Sequence, residues 1–142
     1  AFQRSNTLAD VSGFYQAFGL TPSAQHPERP DHIAIELEFM SCLLGLERDA
    51  ARGGTEHRDE RRRICRDAQV TFFQQHLAWW APTFAVLLEK ADDGGFYSAA
   101  GAFLAALIPA ERALLEVPAA SQAVTRSVAE GPDLCDGCEL SR

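Results

Sequence analysis

Apolar residues recur at helical spacing along most of the chain. The first such set, with members three or four residues apart on one helix face, is Leu8, Val11, Tyr15 and Phe18. Thr7 is followed three residues later by an acidic residue, as in a capping box, and predicts the start of this helix. Gly19 and Pro22 predict its end, because glycine adopts the left-handed conformation of a C-terminal cap and proline cannot continue a helix.

A second helix is predicted from about Asp31 to Arg48, after a loop with three prolines. Its main apolar stripe is predicted to be Ile33, Leu37, Met40 and Leu44, and the stripe is widened on neighbouring faces by Ile35, Phe39 and Leu46. A helix that is apolar around so much of its circumference usually lies at the centre of a bundle. Asp31 is the predicted N-cap, because an aspartate oxygen accepts hydrogen bonds from the free N–H groups of a first turn.

The remaining periodic segments also predict helices. One runs from about residue 60 to residue 80, with an arginine-rich first half and an aromatic second half. The next begins at Pro82, since proline suits the first turn of a helix. Another covers about residues 96 to 108, with Phe96, Ala100, Phe103 and Leu107 as its apolar stripe, and Pro109 opens a further helical turn. No run of residues alternates with a period of two, so no strand is predicted.

The sequence therefore predicts an all-α protein, a helical bundle without strands. Its 142 residues suit a single domain, predicted over residues 1–118 and followed by a weakly structured tail, residues 119–142. No stretch reaches the roughly 18 consecutive apolar residues of a membrane helix, so stable membrane insertion is not expected.

The negative charge of the chain limits the kinds of partner it is expected to bind. The net charge is −7 and the isoelectric point is near 5.0, whereas nucleic-acid binding requires a basic surface, so no nucleic-acid partner is expected. Residues 1–47 hold two arginines and six acidic residues, a net charge of −4. An acidic region of this kind suits a cationic peptide, although acidic surfaces also serve solubility alone.

The four cysteines fall into two pairs. Cys42 and Cys65 lie within apolar helical patterns and are expected to be reduced, buried and inert. Cys135 and Cys138 form a C-x-x-C motif, which is half of a zinc site or a redox-active pair. With neither a second C-x-x-C nor a βαβ context, two spare thiols in the tail are the slightly favoured interpretation.

Asp31 and His32 are the most prominent polar pair, directly behind Pro30. His32 and Glu36 are four residues apart and share a helix face, which makes them candidates for partner binding. The structural alternative is that Asp31 caps the helix and His32 is exposed in its first turn. A metal site would need His32, Glu36 and a further ligand such as His76 or His57, but no metalloprotease H-E-x-x-H spacing is present.

The segment from Phe72 to Trp80 is heavily aromatic and is predicted to enter the core. Trp79 and Trp80 are about 100° apart on a helix, so both cannot point inward, and one is expected to line a groove. The chain contains no nucleophile elbow, no Walker loop and no dinucleotide-binding glycine motif. No catalytic residues are predicted.

Taken in order, these segments resemble the TorD/DmsD/NarJ family of chaperones that mature molybdenum-containing oxidoreductases. The family pattern has an F-G-L helix end, a P-D-H loop, E-L-x-F-M, H-L-x-x-W-x-P-x-F and a downstream F-Y. The matching residues are Phe18-Gly19-Leu20, Pro30-Asp31-His32, Glu36-Leu37-Glu38-Phe39-Met40, His76-Leu77, Trp80, Pro82, Phe84 and Phe96-Tyr97.

The resemblance implies a cytoplasmic, non-catalytic chaperone with no cofactor of its own. Such proteins bind the twin-arginine leader, or signal peptide, of a partner enzyme's catalytic subunit and hold it back from export until the molybdenum cofactor is inserted. The P-D-H loop belongs to the family's leader-binding region. By this resemblance, Asp31 and His32 are expected to bind the leader. Trp80 and Phe84 are expected to line a groove for its apolar segment, and Glu36 and His76 complete the predicted leader-binding residues.

Two features depart from the family pattern. The family has further N-terminal helices, and this sequence begins after them; the C-x-x-C tail is not part of the motif. The resemblance is compatible with a monomer or a domain-exchanged dimer. Two other classes stay open at this point: a small metal- or redox-active helical protein that uses Cys135, Cys138 and the histidines, and a plain helical interaction subunit.

Overall fold

The computed structural model describes residues 2–21, 23–25, 27–53, 57–91 and 93–119. Its helices are α1 (Phe2–Ala17), α2 (Ile33–Arg52), α3 (Arg58–Phe72), α4 (Ala81–Lys90) and α5 (Phe96–Leu114), with a π-helical turn over Phe73–Leu77. All regular structure in the described residues is helical, which confirms the predicted all-α class. Helix α2 packs chiefly against α3, and α4 against α5.

A cluster of aromatic rings forms the centre of the core. The ring of Phe39 in α2 meets that of Phe72 in α3 edge-on, with centroids 4.7 Å apart, and Tyr15 of α1 lies 4.9 Å from Phe39. All three side chains are buried. Such ring pairs contribute about 0.5–1.5 kcal/mol each beyond the burial of their surface. Three helices are therefore held together at this point.

Helix α1 ends as its sequence predicts. Gly19 has a φ of 71°, in the left-handed region, and its N–H donates to the carbonyl oxygen of Gln16 at 3.0 Å. The N–H of Leu20 donates to the carbonyl oxygen of Tyr15 at 2.9 Å. These two bonds are the Schellman motif, which satisfies carbonyl groups that the helix itself leaves unpaired.

Two predicted helix starts were wrong. Helix α1 begins at Phe2 rather than at Thr7, because no proline or glycine in residues 2–6 stops the helix on its N-terminal side. Helix α2 begins at Ile33, and its N-cap is His32 rather than the predicted Asp31. The cap geometry that decides this second case is described with the candidate site.

The inward face of α2 also differs from the predicted stripe. The buried residues of this helix are Glu36, Phe39, Met40 and Leu43. Leu44 and Leu46, which the pattern placed inside, are 46% and 44% exposed. Apolar residues surround most of this helix, so periodicity alone does not select the buried face; the rings of α1 and α3 select it. Glu36, which the spacing placed on one helix face with His32 as a candidate for partner binding, is only 2% exposed.

The helix predicted over residues 60–80 changes its winding before it ends. From Phe73 to Leu77 the backbone is π-helical, and the N–H of Ala78 donates to the carbonyl oxygen of Phe73 at 2.8 Å, five residues back. A π turn shifts the side chains that follow it around the helix axis. His76 and Leu77 are buried as a result, while Trp79 is 65% exposed and Trp80 is half-buried.

Helix α5 is continuous through Pro109, and its predicted apolar stripe was wrong. Phe96 and Phe103 are 78% and 65% exposed, whereas Gly101, Leu104 and Ile108 are the buried positions. These two rings are exposed because α5 packs against α4 through Gly101 and not through Phe96 or Phe103. Pro82 stands in the first turn of α4, as predicted.

Gly101 sets the distance between α4 and α5. A Cβ atom at this position would lie 2.3 Å from the backbone nitrogen of Glu89 and 2.8 Å from the carbonyl oxygen of Ala85. Both atoms belong to the backbone of α4, so a rotamer change cannot relieve the clash. Only glycine lets the two helices approach this closely.

Replacing Gly101 with alanine is expected to lower the free energy of unfolding by about 1–3 kcal/mol, because α4 and α5 must move apart. Chemical denaturation measures this loss. Gly45→Ala is the matched control: Gly45 also lies inside a helix, a Cβ there meets nothing within 4 Å, and alanine should stabilise the helix by up to about 1 kcal/mol. Equal stability of the Gly101→Ala variant and the wild type would contradict the close approach.

Candidate functional site

The N-terminus of α2 is capped by His32. Its ring Nδ1 accepts a hydrogen bond from the backbone N–H of Ala34 at 3.2 Å, which requires that Nδ1 carries no proton. Asp31 is turned away from the helix. Its carboxylate instead pairs with Arg29 through two bonds, Nε to Oδ1 at 2.8 Å and Nη2 to Oδ2 at 2.7 Å. The bidentate pair outcompetes the cap because each of its bonds is charge-assisted.

The Arg29–Asp31 pair lies at the protein surface. The side chains of Arg29 and Asp31 are 69% and 31% exposed. The hydrogen bond from Arg29 holds the pKa of the Asp31 carboxyl group below its usual range, so Asp31 is ionised at neutral pH.

Tyr15 fixes the loop that carries this pair. Its hydroxyl group donates to the carbonyl oxygen of Pro30 at 2.7 Å. Burial raises the pKa of Tyr15, and the nearby carboxyl groups of Glu36 and Asp31 raise it further, so the phenol stays neutral and keeps its proton for this bond. The position of Asp31 is thus set by a side chain of the core.

Glu36 is a buried acid in the first turn of α2. Its Oε2 atom has no hydrogen-bond partner among the residues that the structure describes. Burial raises the pKa of Glu36 to about 7, the negative charge of Asp31 adds to this, and a hydrogen bond with the side chain of Trp80 opposes it. A substantial fraction of Glu36 is therefore protonated at neutral pH.

His76 belongs to the π turn and is only 4% exposed. Its ring lies 4.9 Å from that of Phe72 and 5.5 Å from that of Phe14, between centroids. Neither ring nitrogen has a hydrogen-bond partner in the described part of the chain. Burial lowers the pKa of His76, although Asp10 opposes the effect, so the ring is neutral at pH 7.

These elements enclose an open cavity of about 570 Å³. Its lining residues are Thr7, Arg29, Asp31, Glu36, His76, Trp79 and Trp80. Four of the six predicted site residues are among them. His32 and Phe84 do not line the cavity. His32 caps α2, and the ring of Phe84 lies 5.5 Å from that of Trp80 between centroids.

Sequence reasoning missed Arg29 and Thr7. The signal for Arg29 is present in the R-P-D order, which places a guanidinium two residues before a carboxylate. Thr7, the predicted helix cap, lies instead in the middle of α1, with its side chain facing the cavity. Arg29 and Thr7 line the cavity only because the loop before α2 packs near α1, which the local sequence does not indicate.

The residues considered as metal ligands in the sequence analysis do not come together as a metal-binding group in the described part of the structure. Among the described residues, no three side chains of histidine, cysteine, aspartate or glutamate come together in a way that could hold a metal ion. His57 precedes α3, where its Nδ1 lies 3.2 Å from Glu60 Oε2. Cys135 and Cys138 lie outside the described residues, as does the predicted tail beyond residue 119.

The two helical cysteines are free thiols. Cys65 is buried, and burial raises the pKa of its thiol, which lowers its reactivity. Cys42 is half-buried. As for the bilayer, none of the helices in the described part of the chain combines the length and the apolar character needed to span it.

Comparison with known proteins identifies the family to which this chain belongs. A model of the family described as nitrate reductase delta subunit matches residues 1–86, more than half of the chain. The chain belongs to this TorD/NarJ family. The match contains every element of the cavity, from α1 to the start of α4, and confirms the family predicted from the sequence motifs.

Several curated TorD/NarJ relatives are similar to this chain. The selenate reductase assembly chaperone protein of Thauera selenatis is 36% identical over 112 residues, 79% of this chain and 54% of that protein. The chaperone protein TorD of Photobacterium profundum is 31% identical over 106 residues, 75% of this chain and 46% of that protein.

The chlorate reductase assembly chaperone protein of Ideonella dechloratans is 31% identical over 112 residues, 79% of this chain and 54% of that protein. The chain spans about half the length of these relatives. No solved structure matches it significantly.

Replacing Glu36 with glutamine is expected to stabilise the protein at pH 8 and to have little effect at pH 5. The pKa of Glu36 is about 7 in the folded protein against 4.5 ordinarily, so between these values the folded state holds a proton that the unfolded chain loses. Wild-type stability therefore falls as pH rises through this window, by at most about 3 kcal/mol. Denaturation curves from pH 5 to pH 8 measure the difference.

Glu38→Gln is the control for this prediction. Glu38 belongs to the same helix but is exposed, so its replacement should change stability little at either pH. A stability difference between the wild type and Glu36→Gln that does not vary with pH would show that Glu36 has an ordinary pKa.

Proposed function

We propose that this chain acts as a cytoplasmic chaperone for a molybdenum-containing oxidoreductase. It binds the twin-arginine leader and the apo form of the catalytic subunit, and it assists cofactor insertion before export, without a catalytic reaction or a cofactor of its own. Membership of the TorD/NarJ family supports this proposal. The names of the relatives support it too, since two of them are named for the assembly of a selenate reductase and a chlorate reductase.

The observation that carries the proposal is the cavity beside the P-D-H loop, which is lined by the two carboxyl groups of Asp31 and Glu36. Asp31 already holds a guanidinium group in a bidentate pair, which is the contact that an arginine of a leader would make. Glu36 and the neutral His76 lie in the same cavity. A leader arginine reaches Asp31 by replacing Arg29, whose side chain is mostly exposed and can swing aside.

The aromatic side of the cavity suits the apolar segment that follows the arginines of a leader. Trp79 is 65% exposed, and its indole Nε1 donates to the carbonyl oxygen of Gln75 at 3.1 Å, which orients the ring. Trp80 is half-buried and packs against Phe84. Exposed tryptophan next to buried aromatic residues is a frequent anchor for apolar peptide side chains.

Other features of the proposal rest on the family alone. A monomer and a domain-exchanged dimer both agree with it. The second candidate function, a small metal- or redox-active protein, is not favoured, since the relatives are named as chaperones.

Asp31→Asn is expected to weaken the binding of a synthetic twin-arginine leader about tenfold to a hundredfold, because a charge-assisted hydrogen bond contributes about 1.5–3 kcal/mol. The melting temperature should change little, since His32 rather than Asp31 caps α2. Isothermal titration calorimetry at low salt measures the affinity, and a leader with both arginines changed to lysine should bind more weakly to the wild type.

Asp49→Asn is the matched control. Asp49 also pairs with a neighbouring arginine, Arg48, at 3.2 Å on an exposed surface, but it does not line the cavity. Its replacement should leave leader affinity unchanged. If the wild type binds neither the arginine leader nor its lysine variant, leader recognition is not the function of this chain.

A further inference from the structure

Glu36 is buried, and among the described residues no cationic side chain pairs with it. The cavity-lining residues include one guanidinium group among those described, and Asp31 holds it. A buried carboxylate without a charged partner is unfavourable, so such a group either keeps its proton or receives a cation. In the free protein, a substantial fraction of Glu36 keeps its proton at neutral pH. The Oε2 atom of Glu36 nevertheless has no hydrogen-bond partner among the described residues. Glu36 is also one of the residues that line the open cavity.

The groups around Glu36 come from four elements. Helix α1 contributes the neutral phenol of Tyr15 and, facing His76, the carboxyl group of Asp10. The loop before α2 contributes Asp31 with Arg29, and the cap residue His32. The π turn contributes His76, and the turn after it contributes Trp80, a hydrogen-bond donor without charge. None of these groups gives Glu36 a cationic partner in the described residues.

Two adjacent arginines need two separate acceptors. In an extended peptide, successive side chains point to opposite sides, so one carboxylate cannot pair well with both. The cavity offers two carboxyl groups, close enough for the charge of Asp31 to influence Glu36. Asp31 becomes available when Arg29 leaves it, and Glu36 becomes available when its proton leaves.

We propose that Glu36 is the acceptor for one of the two leader arginines and that its carboxyl group releases a proton to solvent when the guanidinium group enters the cavity. The arginine keeps its charge, and the carboxylic acid becomes the carboxylate that pairs with it. This inference rests on the proposed leader-binding function and adds a pH dependence to it. Leader binding is then linked to the loss of one proton from the complex.

The link predicts how affinity varies with pH. With the pKa of Glu36 at about 7, most molecules carry the proton at pH 6 and few carry it at pH 8. A protonated Glu36 must lose its proton before the arginine binds, which weakens binding, whereas an ionised Glu36 carries no such cost. The wild type should therefore bind a leader about tenfold more tightly at pH 8 than at pH 6. Asp31 contributes no such dependence over this range, because its pKa is lowered.

The test is calorimetric titration with a synthetic peptide that has two consecutive arginines and about a dozen apolar residues after them. Titrations at pH 6, 7 and 8, each in two buffers of different ionisation enthalpy, give the affinity and the number of protons released. The wild type and the control Glu38→Gln should gain about tenfold in affinity and release protons near pH 6.5. Glu36→Gln should bind more weakly at pH 8 and lose most of the pH dependence.

A measurement on the wild type alone identifies the group that titrates. At pH 6.5, glutamates with ordinary pKa values are ionised, so a carboxylic acid resonance in the carbon-13 spectrum of glutamate-labelled protein should come from Glu36. Adding the peptide should move this resonance to the carboxylate position. This readout holds even if Glu36→Gln does not fold.

The outcomes separate the two proposals. If the wild type does not bind the peptide at any pH, the leader-binding function is wrong. If it binds but the Glu36 resonance does not move, or if Glu36→Gln keeps the full pH dependence, the role of Glu36 is wrong and the leader-binding function stands.

Discussion

The hydrogen bond from the Tyr15 hydroxyl to the Pro30 carbonyl oxygen connects the core of this protein to its candidate site. Its donor lies among the rings that join α1, α2 and α3, and its acceptor precedes Asp31 directly. The loop position thus depends on aromatic packing that lies outside the loop. A change in the core that shifts Tyr15 would move Asp31 as well, so the stability of the bundle and the geometry of the cavity are coupled.

The parts of the fold that depend on local chemistry were predictable from the sequence. Gly19 ends α1 because its left-handed conformation needs no tertiary contact, and Pro82 begins α4 for a similarly local reason. The buried faces of α2 and α5 were not predictable, because apolar residues surround both helices. In α5 the buried face is set by the close approach to α4 at Gly101, where there is no side chain. A pattern of apolar residues does not indicate such a contact.

The candidate site was predictable as a set of residues but not as an arrangement. Motif order brought Asp31, Glu36, His76 and Trp80 together, and all four line one cavity. No local pattern indicates that Glu36 is buried, since its burial follows from the rotation of α2 against its neighbours. The π turn, which directs His76 inward, has no signal in the spacing of apolar residues either. The binding of a leader by these residues remains a prediction.

The Arg29–Asp31 pair has a consequence for selectivity. Arg29 is tethered two residues from its acceptor, so it competes with any external guanidinium group at a local concentration in the millimolar range or above. A lone arginine on another peptide is present at far lower concentration and would not displace Arg29. If the cavity binds a leader as proposed, a peptide that contacts the cavity at several points would displace the tethered arginine where an isolated cation would not.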